Sequence, residues 1–118
     1  MSKSATTMMS KGTTNKRHSA KRRAFVPVHP GEVILADYLE PLGMSRYALA
    51  KALGITQARL GEIIRGRRAI TPDTALRLAR YFGTTAEFWM GMQAQYDLEV
   101  ARDTVGAKIE RTVPRRAA

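Results

Sequence analysis

Apolar residues recur at intervals of three and four along most of the chain, which is the period of helices that bury one face. In the first block this apolar face consists of Ile34, Leu35, Tyr38, Leu39 and Leu42. Four further blocks follow, and no segment alternates apolar and polar residues as a half-buried strand would. The pattern therefore predicts an all-α fold, a bundle of five helices.

Residues that favour helix ends divide these blocks from one another. Serine and threonine accept hydrogen bonds from the first free N–H groups of a helix, and glycine adopts the left-handed conformation that often ends one. We expect the second to fifth helices to be capped by Ser45, Thr56, Thr71 and Thr85. We expect the first four helices to be followed by Gly43, Gly54, Gly66 and Gly83. His29 is expected to cap the first helix, Pro41 to help end it, and the fifth to run to at least Tyr96 and as far as Arg102.

The second and third predicted helices are separated only by Gly54 and Ile55. A short turn that contains glycine holds two helices at a steep angle, so that the second can enter a DNA groove while the first crosses the backbone. Ala50 is small enough to allow close contact between them. The pattern therefore predicts a helix-turn-helix whose recognition helix begins near Gln57.

The distribution of charge indicates a polyanionic partner. The chain has 20 basic and 10 acidic residues, a net charge of +10. Residues 1–23 contain seven basic residues and no acidic one, and segment 45–68 contains six basic residues against Glu62 alone. A basic segment that coincides with a helix-turn-helix favours double-stranded DNA as the partner.

Particular residues of this segment are candidates for contact with DNA. The exposed face of the third helix would carry the base-reading residues Gln57, Ala58, Gly61 and Glu62. Glutamine can read adenine, glutamate can accept from cytosine, and an alanine methyl group can touch that of thymine. The residues that we expect to bind phosphates are Arg46, Thr56, Arg59, Arg65, Arg67 and Arg68. For both sets the alternative is an ordinary solvated helix surface.

The fifth helix carries an aromatic and apolar stripe. Its members fall at intervals of three and four: Trp89, Met92, Tyr96 and Val100. A two-fold dimer reads two half-sites, whereas a single helix-turn-helix buries little surface. We therefore expect this stripe to form a homodimer contact; the alternative is that it simply covers the bundle.

Other classes of site have no residues to support them. There is no cysteine, and neither His18 nor His29 has a second ligand at metal-site spacing. We therefore predict no metal site, no cofactor and no enzymatic activity. No apolar run approaches the ~20 residues of a membrane span, and a cytoplasmic protein without membrane contact is expected.

The chain divides into three parts. Residues 1–24 form a basic tail that we expect to be disordered, and they either touch DNA or remain solvated. Residues 25–103 form the DNA-binding domain with its C-terminal dimerisation helix. Residues 104–118 form a second basic tail.

Two stretches of sequence resemble a known family. Residues 45–68 resemble the helix-turn-helix of the XRE/Cro–repressor family. Residues 29–102 resemble the HigA (VapI-like) antitoxins in carrying HPGE, GRRAIT followed by DTALRLAR, and EFW followed by MQ and YDL. The basic segment 1–24 has no counterpart in that resemblance.

The resemblance implies a fold and two roles. The fold is the lambda-repressor-like helix-turn-helix bundle. The protein would neutralise an mRNA-cleaving, HigB-like toxin, and would repress its own operon as a dimer bound to operator DNA. One alternative is toxin neutralisation with weak DNA binding, and another is a stand-alone phage- or host-type XRE repressor without a toxin partner.

Overall fold

The computed structural model describes residues 27–117, and over this range the chain folds into five helices joined by short turns. The first helix, α1, consists of a turn Pro30–Val33, a π-helical segment Ile34–Leu39 and a last turn Glu40–Leu42. The others are α2 (Arg46–Leu53), α3 (Gln57–Ile64), α4 (Pro72–Phe82) and α5 (Ala86–Thr112). The predicted all-α, five-helix fold is confirmed, while the tail 1–24, Phe25 and Val26 lie outside the described residues.

The predicted caps hold the helix ends. Ser45, Thr56, Thr71 and Thr85 each accept a hydrogen bond from the backbone N–H three residues later, at 3.0, 3.0, 3.4 and 3.0 Å. The glycines that follow α1, α2 and α4 have positive φ, as does Gly66 in the turn after α3. His29 Nδ1 accepts from the backbone N–H of Gly31 at 2.9 Å, as its position before Pro30 predicted.

The π-helical segment of α1 lies immediately before Pro41. Proline has no N–H, and its ring crowds the carbonyl one turn earlier. The N–H of Glu40 bonds the carbonyl of Leu35, five residues back, which widens the helix at this point. The helix therefore continues past the proline and ends only before Gly43.

The core lies where α3 and α5 meet the other helices. Its buried members come from all five helices and from the turn after α3: Ile34, Leu39, Leu49, Ala50, Leu53, Leu60, Ile63, Ile64, Ile70, Ala75, Leu78 and Trp89. Gly31 allows α1 to approach α3 closely, since a Cβ there would overlap the carbonyl oxygen of Ile63. The core therefore holds α3 with its other face outward.

The fifth helix is longer than predicted. We expected it to end no later than Arg102 and residues from 104 to form a tail, but it continues to Thr112. The last turns leave Val105 and Ile109 about half exposed, at 41 and 49%. The amphipathic pattern missed them because it detects burial, and these turns are not packed against the body. None of the helices within residues 27–117 is long and apolar enough to span a membrane.

Candidate nucleic-acid interface

The turn between α2 and α3 is built by backbone hydrogen bonds. Gly54, with φ of 73°, adopts the left-handed conformation that ends α2. The N–H of Ile55 then bonds the carbonyl of Ala50 at 3.0 Å, and the side chain of Ile55 packs against the core. Thr56 starts α3 directly afterwards. The chain thus forms the predicted helix-turn-helix, with Gln57 and Ala58 exposed at the start of its second helix.

Gly61 does not lie on the open surface where we expected it. It is buried, and the guanidinium of Arg65 lies 3.4 Å from the position that a Cβ would take. The Arg65 side chain therefore folds back along α3 and covers the glycine. The contact of Gly61 with a base stays a prediction, and it requires the exposed Arg65 side chain to move away from the glycine.

Glu62 and Arg68, assigned from the sequence to bases and phosphates respectively, pair with each other. Arg68 Nε donates to Glu62 Oε1 at 2.8 Å, and both side chains are about half exposed. An exposed pair of this kind contributes little to folding stability. Its effect is to fix where the only carboxylate of segment 45–68 points.

Arg59 is engaged within the protein. Its Nη2 lies 3.0 Å from Asp73 Oδ1 and 2.6 Å from the Thr74 hydroxyl, and its side chain is 27% exposed. Asp73 also accepts from Arg77 Nε at 2.7 Å, and Arg77 Nη1 donates to the carbonyl of Leu53 at 2.9 Å. The hydrogen bond from Arg77, and to a lesser extent the one from Arg59, lowers the pKa of the Asp73 carboxyl. This network ties α2, α3 and α4 together.

Only part of this network is visible in the amino-acid sequence. The Asp73–Arg77 spacing of four residues on a helix is a visible signal for an ion pair. The Arg59–Asp73 bond joins two helices, and no spacing pattern within either helix indicates it. Arg59 serves first to hold the recognition helix against α4.

Three of the predicted phosphate-binding arginines remain open to solvent. They are Arg46, at the first position of α2, and Arg65 and Arg67, after α3. Within residues 27–117 none of the three forms an ion pair with a carboxylate. Thr56 caps α3 with its hydroxyl. The surface around the exposed end of α3 is therefore positively charged.

His29 links α1 to the turn after α3. It is buried, its Nδ1 accepts from the backbone N–H of Gly31, and its ring lies 3.7 Å from the position that a Cβ would take on Gly66. The ring also stands edge-on to Tyr96, with centroids 4.8 Å apart. Burial lowers the pKa of His29, against the opposing effect of Glu32 and Asp97.

Protonation of His29 is therefore expected to cost stability. Its pKa is lower in the folded than in the unfolded state, so the unfolded chain binds the proton first as pH falls. Urea midpoints should decrease as pH falls below the usual histidine pKa of about 6.5 and level off below the folded-state value. In His29→Asn the amide can still cap Gly31 without titrating, and this pH dependence should vanish. A midpoint of the parent protein that stays constant through this range would contradict the assignment.

The four residues of the predicted dimer stripe lie in two different environments. Trp89 is fully buried; its Nε1 donates to the Thr84 hydroxyl at 2.7 Å, and its ring packs on Tyr38 and Phe88. The expectation that it lies on a dimer surface is wrong, because the first turns of α5 lie against α4 and direct it into the core.

The other members of the stripe face outward in part. Met92, Tyr96 and Val100 are each partly exposed. Met92 and Tyr96 line one apolar groove with Pro27, Val28 and Val33, and Val100 lines its continuation. An apolar surface therefore runs along the side of α5 that lies near the start of the described chain.

Residues 35–89 match a family model described as Helix-turn-helix. Virulence-associated protein I of Dichelobacter nodosus is 54% identical over 74 residues, 63% of this chain and 68% of that protein. Antitoxin HigA-1 of Vibrio cholerae is 38% identical over 78 residues, 66% of this chain and 70% of that protein.

Solved structures that resemble this fold include antitoxins as well. The Pseudomonas aeruginosa antitoxin HigA with the higBA promoter superposes with a TM-score of 0.75 at 38% identity, over 77% of this chain and 99% of that one. The antitoxin GraA in complex with its operator gives 0.75 at 35% identity, over 84% and 100%. The shared fold and the exposed recognition helix define a helix-turn-helix protein of the XRE type. The chain belongs to the family that includes VapI and the HigA antitoxins.

Proposed function

We propose that the protein is a sequence-specific DNA-binding repressor and that α3 reads the major groove of its operator. The observation that carries this is the outward face of α3, where Gln57 and Ala58 are exposed. Nearby lie Arg46, Arg65 and Arg67, which form no ion pair with a carboxylate within residues 27–117. The related HigA and GraA structures that contain promoter or operator DNA support it.

Each exposed residue has a role in this proposal. Gln57, Ala58 and Glu62 contact base edges. Arg46, Arg65 and Arg67 bind phosphates, and the capped start of α3 directs backbone N–H groups toward the DNA. Arg59 supports the orientation of α3 through Asp73 and Thr74.

Titration of two duplexes tests this function. One duplex contains the region upstream of the protein's own gene, and the other has the same composition in scrambled order. We expect the upstream duplex to bind at least about 10³-fold more tightly at physiological salt, and both affinities to fall steeply as salt increases. Equal affinity for the two duplexes would show that binding carries no sequence information.

The repressor is proposed to act as a homodimer through α5. The apolar groove along Met92, Tyr96 and Val100 is the surface that a second copy would cover. Since one recognition helix reads only a few base pairs, pairing two copies places two of them on successive turns of the same DNA face.

Sedimentation tests the dimer. We expect a dimer at micromolar concentration and a folded monomer for Val100→Asp, because a carboxylate in an apolar contact must lose its hydration. Leu98→Asp is the matched control: Leu98 is 47% exposed, and at helical spacing it lies on nearly the opposite side of α5. If Leu98→Asp dissociated and Val100→Asp remained a dimer, the interface would lie on the Leu98 side of α5 and the proposed dimer contact would be wrong.

Membership in the HigA family supports a further role as an antitoxin. In this proposal the protein binds a HigB-like, mRNA-cleaving toxin in the cytoplasm and represses the operon that encodes both. The alternative is a stand-alone XRE repressor. Co-purification with the product of an adjacent gene, and rescue of growth from that product, would decide for the antitoxin, whereas failure to bind any such product would leave the repressor alone.

A further inference from the structure

We propose that Arg68 is a positioning residue for base recognition: it holds the carboxylate of Glu62 so that Glu62 accepts a hydrogen bond from the amino group of a cytosine. The inference rests on the proposed DNA-binding function. It replaces the phosphate-binding role that the sequence suggested for Arg68 with a role in specificity.

The backbone after α3 brings the two side chains together. Gly66, with φ of 76°, reverses the chain. Its N–H bonds the carbonyl of Ile63 at 3.0 Å, and the N–H of Arg67 bonds that of Glu62 at 2.8 Å. This is the Schellman arrangement that closes a helix and turns the chain back over its last turn. Arg68 therefore lies beside a residue six positions earlier.

A buried contact supports this turn from the other side. The buried ring of His29 lies against Gly66, 3.7 Å from the position that a Cβ would take. The turn that carries Arg68 is thus packed against the start of α1, and the guanidinium of Arg68 is bonded to Glu62 of α3. Because the turn holds the backbone of Arg68, the bond from its guanidinium places the carboxylate of Glu62 in a defined position.

The charge of Glu62 explains why it needs a partner. A lone carboxylate facing DNA is repelled by the phosphates, and pairing with a guanidinium offsets this repulsion. Arg68 Nε bonds only Oε1. Within residues 27–117 the other oxygen, Oε2, has no hydrogen-bond partner, and this leaves it available to the exocyclic amine of cytosine, the group in the major groove that glutamate accepts from.

Arg67 provides the matched control. It is the neighbouring arginine, its side chain is exposed, and among the described residues it pairs with no carboxylate. It fits a phosphate contact, which strengthens binding to every sequence alike. Loss of Arg67 and loss of Arg68 should therefore differ in kind.

Selection from a pool of duplexes with a randomised centre tests the inference, using the full chain and its variants Glu62→Gln, Arg68→Met and Arg67→Met. We expect the parent protein to enrich one motif, and Glu62→Gln to lose the cytosine preference at one base pair, because a glutamine amide pairs better with adenine. Arg68→Met should weaken the preference at that same base pair by about tenfold and leave the others unchanged. Arg67→Met should keep every preference and bind less tightly. The double variant Glu62→Gln/Arg68→Met should be no less selective than Glu62→Gln, because both changes remove one contact.

Two outcomes would overturn the inference in distinguishable ways. If Arg68→Met keeps the parental motif and its log–log salt slope falls by about one per protomer, Arg68 is a phosphate contact while DNA binding stands. If the parent protein enriches no motif at all, the proposed function fails and the inference with it. Circular dichroism of each variant checks that the helices are intact.

Discussion

Trp89→Ala is expected to unfold the domain or leave it barely stable. Its side chain is fully buried and is the largest in the core, and truncation of a buried tryptophan typically costs about 3–5 kcal/mol. Small domains have only about 5–15 kcal/mol of stability in all. The substitution also leaves the hydroxyl of Thr84 without the donor that lies 2.7 Å away. Urea unfolding followed by circular dichroism measures the loss.

Two variants separate volume from surface effects at this position. Phe88→Ala removes an adjacent aromatic ring that is 43% exposed, and it should cost much less than Trp89→Ala. Trp89→Phe keeps most of the volume and loses the hydrogen bond to Thr84, so its cost should fall between the two. If Trp89→Ala unfolded at the same urea concentration as Phe88→Ala, Trp89 would belong on the surface.

Gln57→Ala is expected to lower operator affinity by about 1–3 kcal/mol per half-site and to relax the preference at one base pair. Gln57 is exposed at the first position of α3, the end of a recognition helix that meets the base edges. Its side-chain amide can bond adenine at two atoms, and alanine at this position can bond neither. Titration of operator variants that differ at single base pairs measures the effect.

Arg67→Ala is the control for this experiment. It should weaken binding to operator and scrambled duplexes alike and reduce the salt slope by about one per protomer, since a phosphate contact carries no sequence information. Gln57→Ala should leave binding to the scrambled duplex and its salt slope unchanged. An unchanged base preference in Gln57→Ala would remove Gln57 from the recognition surface.

The sequence by itself determined the five helices, where each begins, where the first four end, and the family. Caps such as Thr56 and Thr71 act on N–H groups three residues away, and a glycine such as Gly54 adopts its left-handed conformation within its own turn. Such interactions span only a few residues, so the local sequence contains all the groups that make them. The motifs from HPGE to YDL extend over the same helices, and the relatives confirm the family that they indicated.

Only the tertiary structure decided which way particular side chains face and what they contact. Trp89 and Val100 share a helical stripe, but α4 covers one and not the other. The pairing of Arg59 with Asp73 joins residues 14 positions apart, and that of Arg68 with Glu62 depends on the chain reversal at Gly66. Helical periodicity identifies the side of a helix, whereas a contact between two elements depends on how they pack. For this reason the arginines of segment 45–68 look alike in sequence. In the folded protein Arg59 bonds residues of α4, Arg68 pairs with Glu62, and the others are exposed to solvent.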